Sequence, residues 1–220
     1  MNFSIEWEDV YKNQTHLSIW PWSDVVSYVK RYMEPSAKSF KVLELGCGAG
    51  ANIPFFKSLN IEYHAIEGSQ AIVEKLHKNF PEYKKNIVVG DFTTIELKEN
   101  YYDLILDRAA LTHNSTDAIT TCLKSIYKSL KIDGRYIGID WFSTIHDDFN
   151  KGEEVAGDPN TKTNINEGQF VNLGKVHFSD KEHLINLFAD FTFLVLEHKV
   201  HTFEFPNDHT FASWNFVVGK

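Results

Sequence analysis

Cysteine is scarce: Cys47 and Cys122 are the only two in 220 residues. Two thiols cannot build a disulfide framework, and by themselves they cannot supply a four-ligand zinc site. Long apolar runs are missing as well, and no stretch reaches the roughly 18 residues a membrane span needs. The opening MNFSIEWEDVYKNQ lacks a basic segment followed by an apolar one, so no secretory leader is expected. These absences favour a cytoplasmic protein without a membrane partner. Basic excess is lacking too: 22 Lys and Arg stand against 30 Asp and Glu, a net charge of −8. Duplex nucleic acid is bound largely by neutralising phosphates, which leaves a basic footprint. Here the longest basic patches are Lys30-Arg31 and Lys84-Lys85, so nucleic acid is not expected as a partner. There is no internal repeat and no low-complexity linker.

What remains is the composition of an ordinary globular chain, 43% hydrophobic and 24% charged. Its length suits one domain, with a core large enough to need no staples. Aromatics are plentiful, with 17 Phe, 9 Tyr and 5 Trp. Most belong to the core, and the rest suit a pocket for a flat or sugar-like ligand.

Short apolar runs alternate with helical patterns through the middle of the chain. Strands are expected at Phe40 to Leu45, Glu62 to Ile66, Ile87 to Val89, Tyr102 to Leu106 and Arg135 to Ile139. Between them lie a short helix at Phe55 to Leu59, one at Ala71 to Phe80 with Ser69 as N-cap, and one at Asp117 to Leu130 closed by an Asp133-Gly134 turn. This rhythm implies an α/β fold, a doubly wound parallel sheet with helices on both faces. An N-terminal helical cap, residues 1–36, contains Trp20-Pro21-Trp22 and a helix from Ser23, its N-cap, to Met33. A polar segment from Ser143 to Lys175 is too long for a plain connection and reads as a lid-like insertion, residues 143–178. Ser179 to Glu182 reads as a capping box for a helix to about Ala189. Phe191 to Lys199 and Thr210 to Gly219 read as an antiparallel strand pair at the sheet edge.

The strongest motif is VLELGCGAGAN. A buried strand delivers Glu44 into Gly46, Cys47, Gly48, Ala49 and Gly50, and a helix follows. Such glycines permit a tight turn and close backbone approach to a ligand at the helix N-terminus. Gly46, Gly48 and Ala51 also satisfy the dinucleotide pattern G-x-G-x-x-G/A, so the loop alone is ambiguous. The acids narrow it. Glu67 ends the next strand, where a carboxylate accepts both hydroxyls of a ribose. Asp91 ends the third strand, placed for an adenine amino group, with Phe92 beside it to pack on the base. Cys47 reads as a small filler, since no base stands near it.

With these residues the chain resembles the class I S-adenosylmethionine-dependent methyltransferases. Glu44, Gly46, Gly48 and Gly50 match that family's first motif, Glu67 its ribose-binding acid, and Asp91-Phe92 its adenine-side pair. The resemblance implies a Rossmann-like seven-stranded sheet whose last strand is antiparallel, S-adenosyl-L-methionine as cofactor, and Glu44 close to the cofactor's methionine end. WPWSDVV, GCGAGANIPFF, EGS, DRAALTHN, GIDWFS and WNFVV are similar to bacterial methyltransferases of surface-polysaccharide or nucleotide-sugar gene clusters, which implies a sugar or sugar-derived acceptor.

The acceptor side belongs to loops outside the carboxyl ends of the strands. The segment after the fourth strand, Asp107 to Asn114, lacks the Asn/Asp-Pro-Pro-aromatic motif of nucleobase amine methyltransferases. A hydroxyl acceptor benefits from a general base. His113 is the candidate base, or else it merely precedes the next helix. Asp107 would orient that histidine or bind the methionine amine. Arg108 would bind an anionic acceptor or pair with Asp107 or another acid. Trp141 would wall the acceptor pocket or sit in the core. His146, with Asp147 and Asp148, opens the insertion as a candidate acceptor contact, and His177 returns from it towards the acceptor site or is a structural histidine. Tyr11 and the Trp20-Pro21-Trp22 cluster would close over the site or staple the first helix. No ligand spacing supports a metal. The alternatives are a nicotinamide-dependent oxidoreductase, which leaves Asp91-Phe92 unexplained, and a non-catalytic S-adenosylmethionine-binding module.

Overall fold

The apolar runs and helical stretches from residue 41 onward form alternating strands and helices. The computed structural model describes residues 18–35 and 39–220. The elements are α1 (Ser23–Tyr32), β1 (Lys41–Leu45), α2 (Ile53–Ser58), β2 (Glu62–Glu67), α3 (Gln70–Asn79), β3 (Ile87–Val89), β4 (Tyr102–Arg108), α4 (Thr116–Ser129) and β5 (Leu130–Phe142). After these come β6 (Glu153–Val155), β7 (Asp158–Thr163), β8 (Val176–His177), α5 (Lys181–Leu187), β9 (Thr192–Phe203) and β10 (His209–Gly219).

The main sheet has seven strands in the order β3-β2-β1-β4-β5-β10-β9. Strands β1 to β5 are mutually parallel, and β10 runs antiparallel to both β5 and β9. The chain reverses its strand order beside β1, so the carboxyl ends of β1 and β4 flank the crevice where such sheets bind ligands. Side-chain alternation along β1 divides the core. Val42 joins Val25, Val29, Phe56 and Leu76 on the face covered by α1, α2 and α3. Leu43 and Leu45 join Ile119, Leu123, Ile126 and Phe188 on the face covered by α4 and α5. Each such fully buried aliphatic or aromatic side chain contributes about 1.5–3 kcal/mol.

Local chemistry sets most boundaries. The Ser69 hydroxyl accepts the Ile72 N–H at 3.2 Å and starts α3. Three details differ from the sequence reading. At α1 the N-cap is Trp22, without a side-chain bond, so Ser23 is the first helical residue and not the cap. At α5 the cap is Asp180, accepting the His183 N–H at 2.8 Å, one residue later than a Ser179 capping box requires. The Asp133-Gly134 pair lies inside β5, which starts directly after α4; the strand bulges there, with Asp133 at φ 65°.

The insertion is ordered. Strands β6, β7 and β8 form a three-stranded antiparallel sheet. Ile165, Phe170, Leu173, Val176 and Phe178 pack with Phe142 of β5 into their own apolar cluster. These residues are spaced irregularly among polar neighbours, which is why no periodic signal announces them. A bridge between Ser143 and Ser179 brings the two ends of the insertion together. Among the described residues no helix is long and apolar enough to cross a membrane.

Candidate active site

A cavity of about 470 Å³ opens at the carboxyl ends of β1 to β5. Its first half is built by the glycine loop and three strand-end acids. Gly46 has φ 65°, and a Cβ there would stand 2.4 Å from the Ala110 Cβ, so the loop needs glycine at this point. The Gly48 N–H donates to Glu67 Oε2 at 2.8 Å and the Ser69 N–H to Oε1 at 3.0 Å. These bonds hold the Glu67 carboxylate, itself 3% exposed, at the cavity wall. Glu44 is equally buried and accepts from Asn52 Nδ2 at 2.8 Å and from the Tyr63 hydroxyl at 2.5 Å. Burial pushes its pKa up to about 7, against the pull of those two hydrogen bonds. Asp91 accepts from the Thr93 N–H at 2.9 Å and the Thr93 hydroxyl at 2.6 Å, and Phe92 lies beside it on the wall. Gly50 is different. It does not line the cavity, and a Cβ there would strike Leu76 of α3 at 2.6 Å; its φ of 82° shapes the turn into α2.

The second half is walled by Trp22, Phe142, Phe170 and Phe211, with His113, Arg108 and Asp140 among them. His113 is half-buried, and its Nδ1 lies 3.2 Å from the Lys175 carbonyl oxygen, just before β8. A carbonyl only accepts, so Nδ1 carries the proton and Nε2 is the basic nitrogen of the neutral ring. The insertion thereby sets the tautomer of His113. Arg108 lies with its guanidinium 3.5 Å from the Trp22 ring centroid, and its Nη2 is 2.9 Å from Asp140 Oδ2. Burial lowers the Arg108 pKa, which the Asp140 charge opposes. Among the alternatives for Arg108, the structure shows the ion pair, and with Asp140 as the acid.

Four other residues from the sequence reading stand away from the cavity surface. Asp107 is fully buried and accepts from the Ala110 N–H, the Leu111 N–H and Trp141 Nε1 at 2.8, 3.0 and 2.6 Å. It therefore anchors the turn that carries His113. Burial raises its pKa to about 6. Trp141 is the partner in that bond, at 0% exposure, and is a core residue, not a pocket wall. His177 is equally buried, between the Thr161 hydroxyl at 3.1 Å and His183 Nε2 at 3.1 Å. His146 packs behind the wall against the rings of Phe170 and Phe211. Tyr11 lies outside the described residues.

His146, Asp148 and His209 bring one ligand-type atom each within 4.8 Å of one another. The Asp148 N–H donates to His146 Nδ1 at 3.0 Å, which leaves the ring proton on Nε2. The Lys151 ammonium already sits 2.8 Å from Asp148 Oδ1. His146 Nε2 is nevertheless buried there without a hydrogen-bond partner among the described residues, so this corner is only partly satisfied.

Sequence reasoning missed Asp140. A strand-end acid was legible there, but neighbouring Trp141 carried the expectation. The backbone explains the difference: Ala109 and Asp140, adjacent at the ends of β4 and β5, both have positive φ, 52° and 54°. Non-glycine residues in that region cost about 1–2 kcal/mol each and gather at functional sites. At β5 the turn aims the Asp140 carboxylate at Arg108.

Residues 42–134 match a family model described as a methyltransferase domain. O-methyltransferase 3 of Dictyostelium discoideum is 30% identical over 118 residues, covering 50% of this chain. The chain spans 27% of that relative's length. Among solved structures, a S-adenosylmethionine-dependent methyltransferase from Methanosarcina mazei has a TM-score of 0.67 at 12% identity, covering 87% of this chain and 96% of that one. The 1,6-didemethyltoxoflavin-N1-methyltransferase of Burkholderia thailandensis, solved with 1,6-didemethyltoxoflavin and S-adenosylhomocysteine bound, has a TM-score of 0.66 at 17% identity, covering 99% and 85%. At these identities the structures speak for the fold.

Proposed function

We propose that the chain carries a class I S-adenosylmethionine-dependent methyltransferase domain and that it methylates a hydroxyl of a small molecule. S-adenosylmethionine supplies an electrophilic methyl group on a sulfonium. The residues present fit that cofactor: three acids line the first half of the cavity beside the side-chain-free backbone of Gly46 and Gly48. In this reading Glu67 accepts from the ribose, Asp91 and Phe92 hold the adenine, and Glu44 stands near the cationic methionine end. Gly46 and Gly48 admit the ligand close to the backbone, and Gly50 acts through the shape of the loop.

The observation that carries the acceptor chemistry is the bond from His113 Nδ1 to the Lys175 carbonyl. It presents Nε2 as a base beside the aromatic half of the cavity. In that role Nε2 would take the acceptor's hydroxyl proton, while the methyl–sulfur bond breaks and S-adenosylhomocysteine leaves. The aromatic walls exclude water and align the acceptor for in-line attack. The relative's description as an O-methyltransferase supports an oxygen acceptor. A sugar or sugar-derived ring is the acceptor class we propose, since aromatic faces beside paired polar groups suit it. Residues 1–220 act in this reading as one domain, with the insertion supplying Gln169, Phe170 and Leu173 to the cavity.

The test is transfer of labelled methyl into sugar and phenol acceptors by the wild-type chain and by His113→Ala. Loss of a positioned base is expected to lower kcat by about 10²–10⁴ without changing S-adenosylmethionine affinity. Wild-type turnover in that variant would remove His113 from the chemistry.

A further inference from the structure

We infer that Asp140, through its pair with Arg108, selects acceptors that carry no anionic group where they meet the guanidinium. The inference rests on the reading of this cavity as a methyltransferase site and specifies its acceptor.

The backbone comes first. Between Trp214 and Phe216 the β5–β10 ladder slips register, and Asp140 sits in the bulge at φ 54°. Asn215, the residue skipped by the ladder, takes the Asp140 N–H on its side-chain oxygen at 2.9 Å. Bulges re-aim side chains, and this one turns a carboxylate out of the sheet and into the cavity wall.

The charges come next. Asp140 Oδ2 pairs with Arg108, and its Oδ1 lies 3.8 Å from the Lys199 ammonium. Lys199 also pairs with Asp24, which accepts from Asn215 Nδ2 at 3.4 Å. Two cations and two carboxylates thus form a closed set. An anionic acceptor placed against Arg108 would meet a cation already matched and a carboxylate beside it. Like charges at such short range in a partly buried site are strongly disfavoured.

Arg108 nevertheless keeps something to offer. Its Nε is buried without a hydrogen-bond partner, a donor left over from the pair with Asp140. An uncharged oxygen, such as a hydroxyl, ether or carbonyl, satisfies that donor without disturbing the balance of charge. The site therefore suits a neutral oxygenated ring and rejects the corresponding carboxylate or phosphate.

Benzoate is the probe, because it is flat, anionic and small enough for the aromatic half. Its binding to the full chain, with and without S-adenosylhomocysteine, is followed on the Arg108 Nε–H resonance in ¹⁵N NMR. Only Arg31, Arg108 and Arg135 contribute such signals, so assignment is simple. The variant is Asp140→Asn, since Asn tolerates positive φ well, with Asp140→Gly as a second route to the same backbone. Both are expected to bind benzoate about tenfold or more tightly than the wild type, with the gain abolished when Arg108→Gln is added. Equal binding to wild type and variants, binding to none of them, or a gain that survives Arg108→Gln would overturn the inference. Calorimetry with S-adenosylhomocysteine separates the two readings. Absent cofactor binding with the benzoate contrast intact would defeat the methyltransferase reading alone. Normal cofactor binding without the contrast would defeat only the role of Asp140.

Discussion

At the scale of single residues, the buried acids divide by what holds them. Asp107 is spent on backbone N–H groups and an indole, and so serves the turn. Glu44 is bonded by two side chains, faces the cavity, and has its pKa raised to about 7 by burial. Its folded pKa lies above the unfolded value, so the ligand-free protein binds more protons than the unfolded chain. Its contribution to stability is therefore present at low pH and lost as pH rises from 4.5 through about 7. A cationic ligand reverses the preference by favouring the carboxylate. Affinity for S-adenosylmethionine is then expected to tighten from about pH 6 to pH 8, and Glu44→Gln is expected to flatten that slope. Calorimetric titration at several pH values checks both; an identical slope in the variant would assign the proton to another group. The acids of the cofactor half were legible because each ends a strand in a local motif. What the sequence does not reveal is which strand-end acids turn inward. Asp107 stands opposite Gly138 inside the sheet, whereas Asp140, two residues further along β5, has positive φ and faces the cavity.

Elements explain why the acceptor half was harder to read. The cofactor half comes from contiguous strand-loop-helix units, whose period and caps show in a short window. The acceptor half joins residues more than sixty positions apart, such as His113 and Lys175. The insertion reaches the segment between β4 and α4 twice. Lys175 holds His113, and Asp158 of β7 caps α4 by accepting from the Thr116 N–H at 2.8 Å and the Thr116 hydroxyl at 2.7 Å. Burial raises the Asp158 pKa, but the bonds from Thr116 and Thr161 outweigh it and leave the carboxyl below its usual range. Removing this cap by Asp158→Ala is expected to cost about 0.5–2 kcal/mol of stability, measured by denaturant unfolding. Because α4 begins just after His113, kcat is expected to fall as well while cofactor affinity stays. A variant with full stability and full kcat would show that the insertion is attached at Lys175 alone.

For the whole molecule, the arrangement is a doubly wound sheet with a second small sheet in the insertion that helps line the cavity at the carboxyl ends of its strands. The parallel sheet and the antiparallel strand pair at its end followed from the sequence pattern and the family resemblance; the strand order and the internal structure of the insertion did not, because the insertion's apolar residues keep no period. The central claim is that this crevice holds S-adenosylmethionine and not a nicotinamide dinucleotide, although Gly46, Gly48 and Ala51 satisfy both patterns. Glu67 would serve either ribose, so only the ligand decides. The most direct measurement is isothermal titration of the full chain with S-adenosylmethionine, S-adenosylhomocysteine and NADH in parallel. Binding of the first two without the third is the expected result. Binding of NADH alone would contradict it and would leave Asp91 and Phe92 in need of another role.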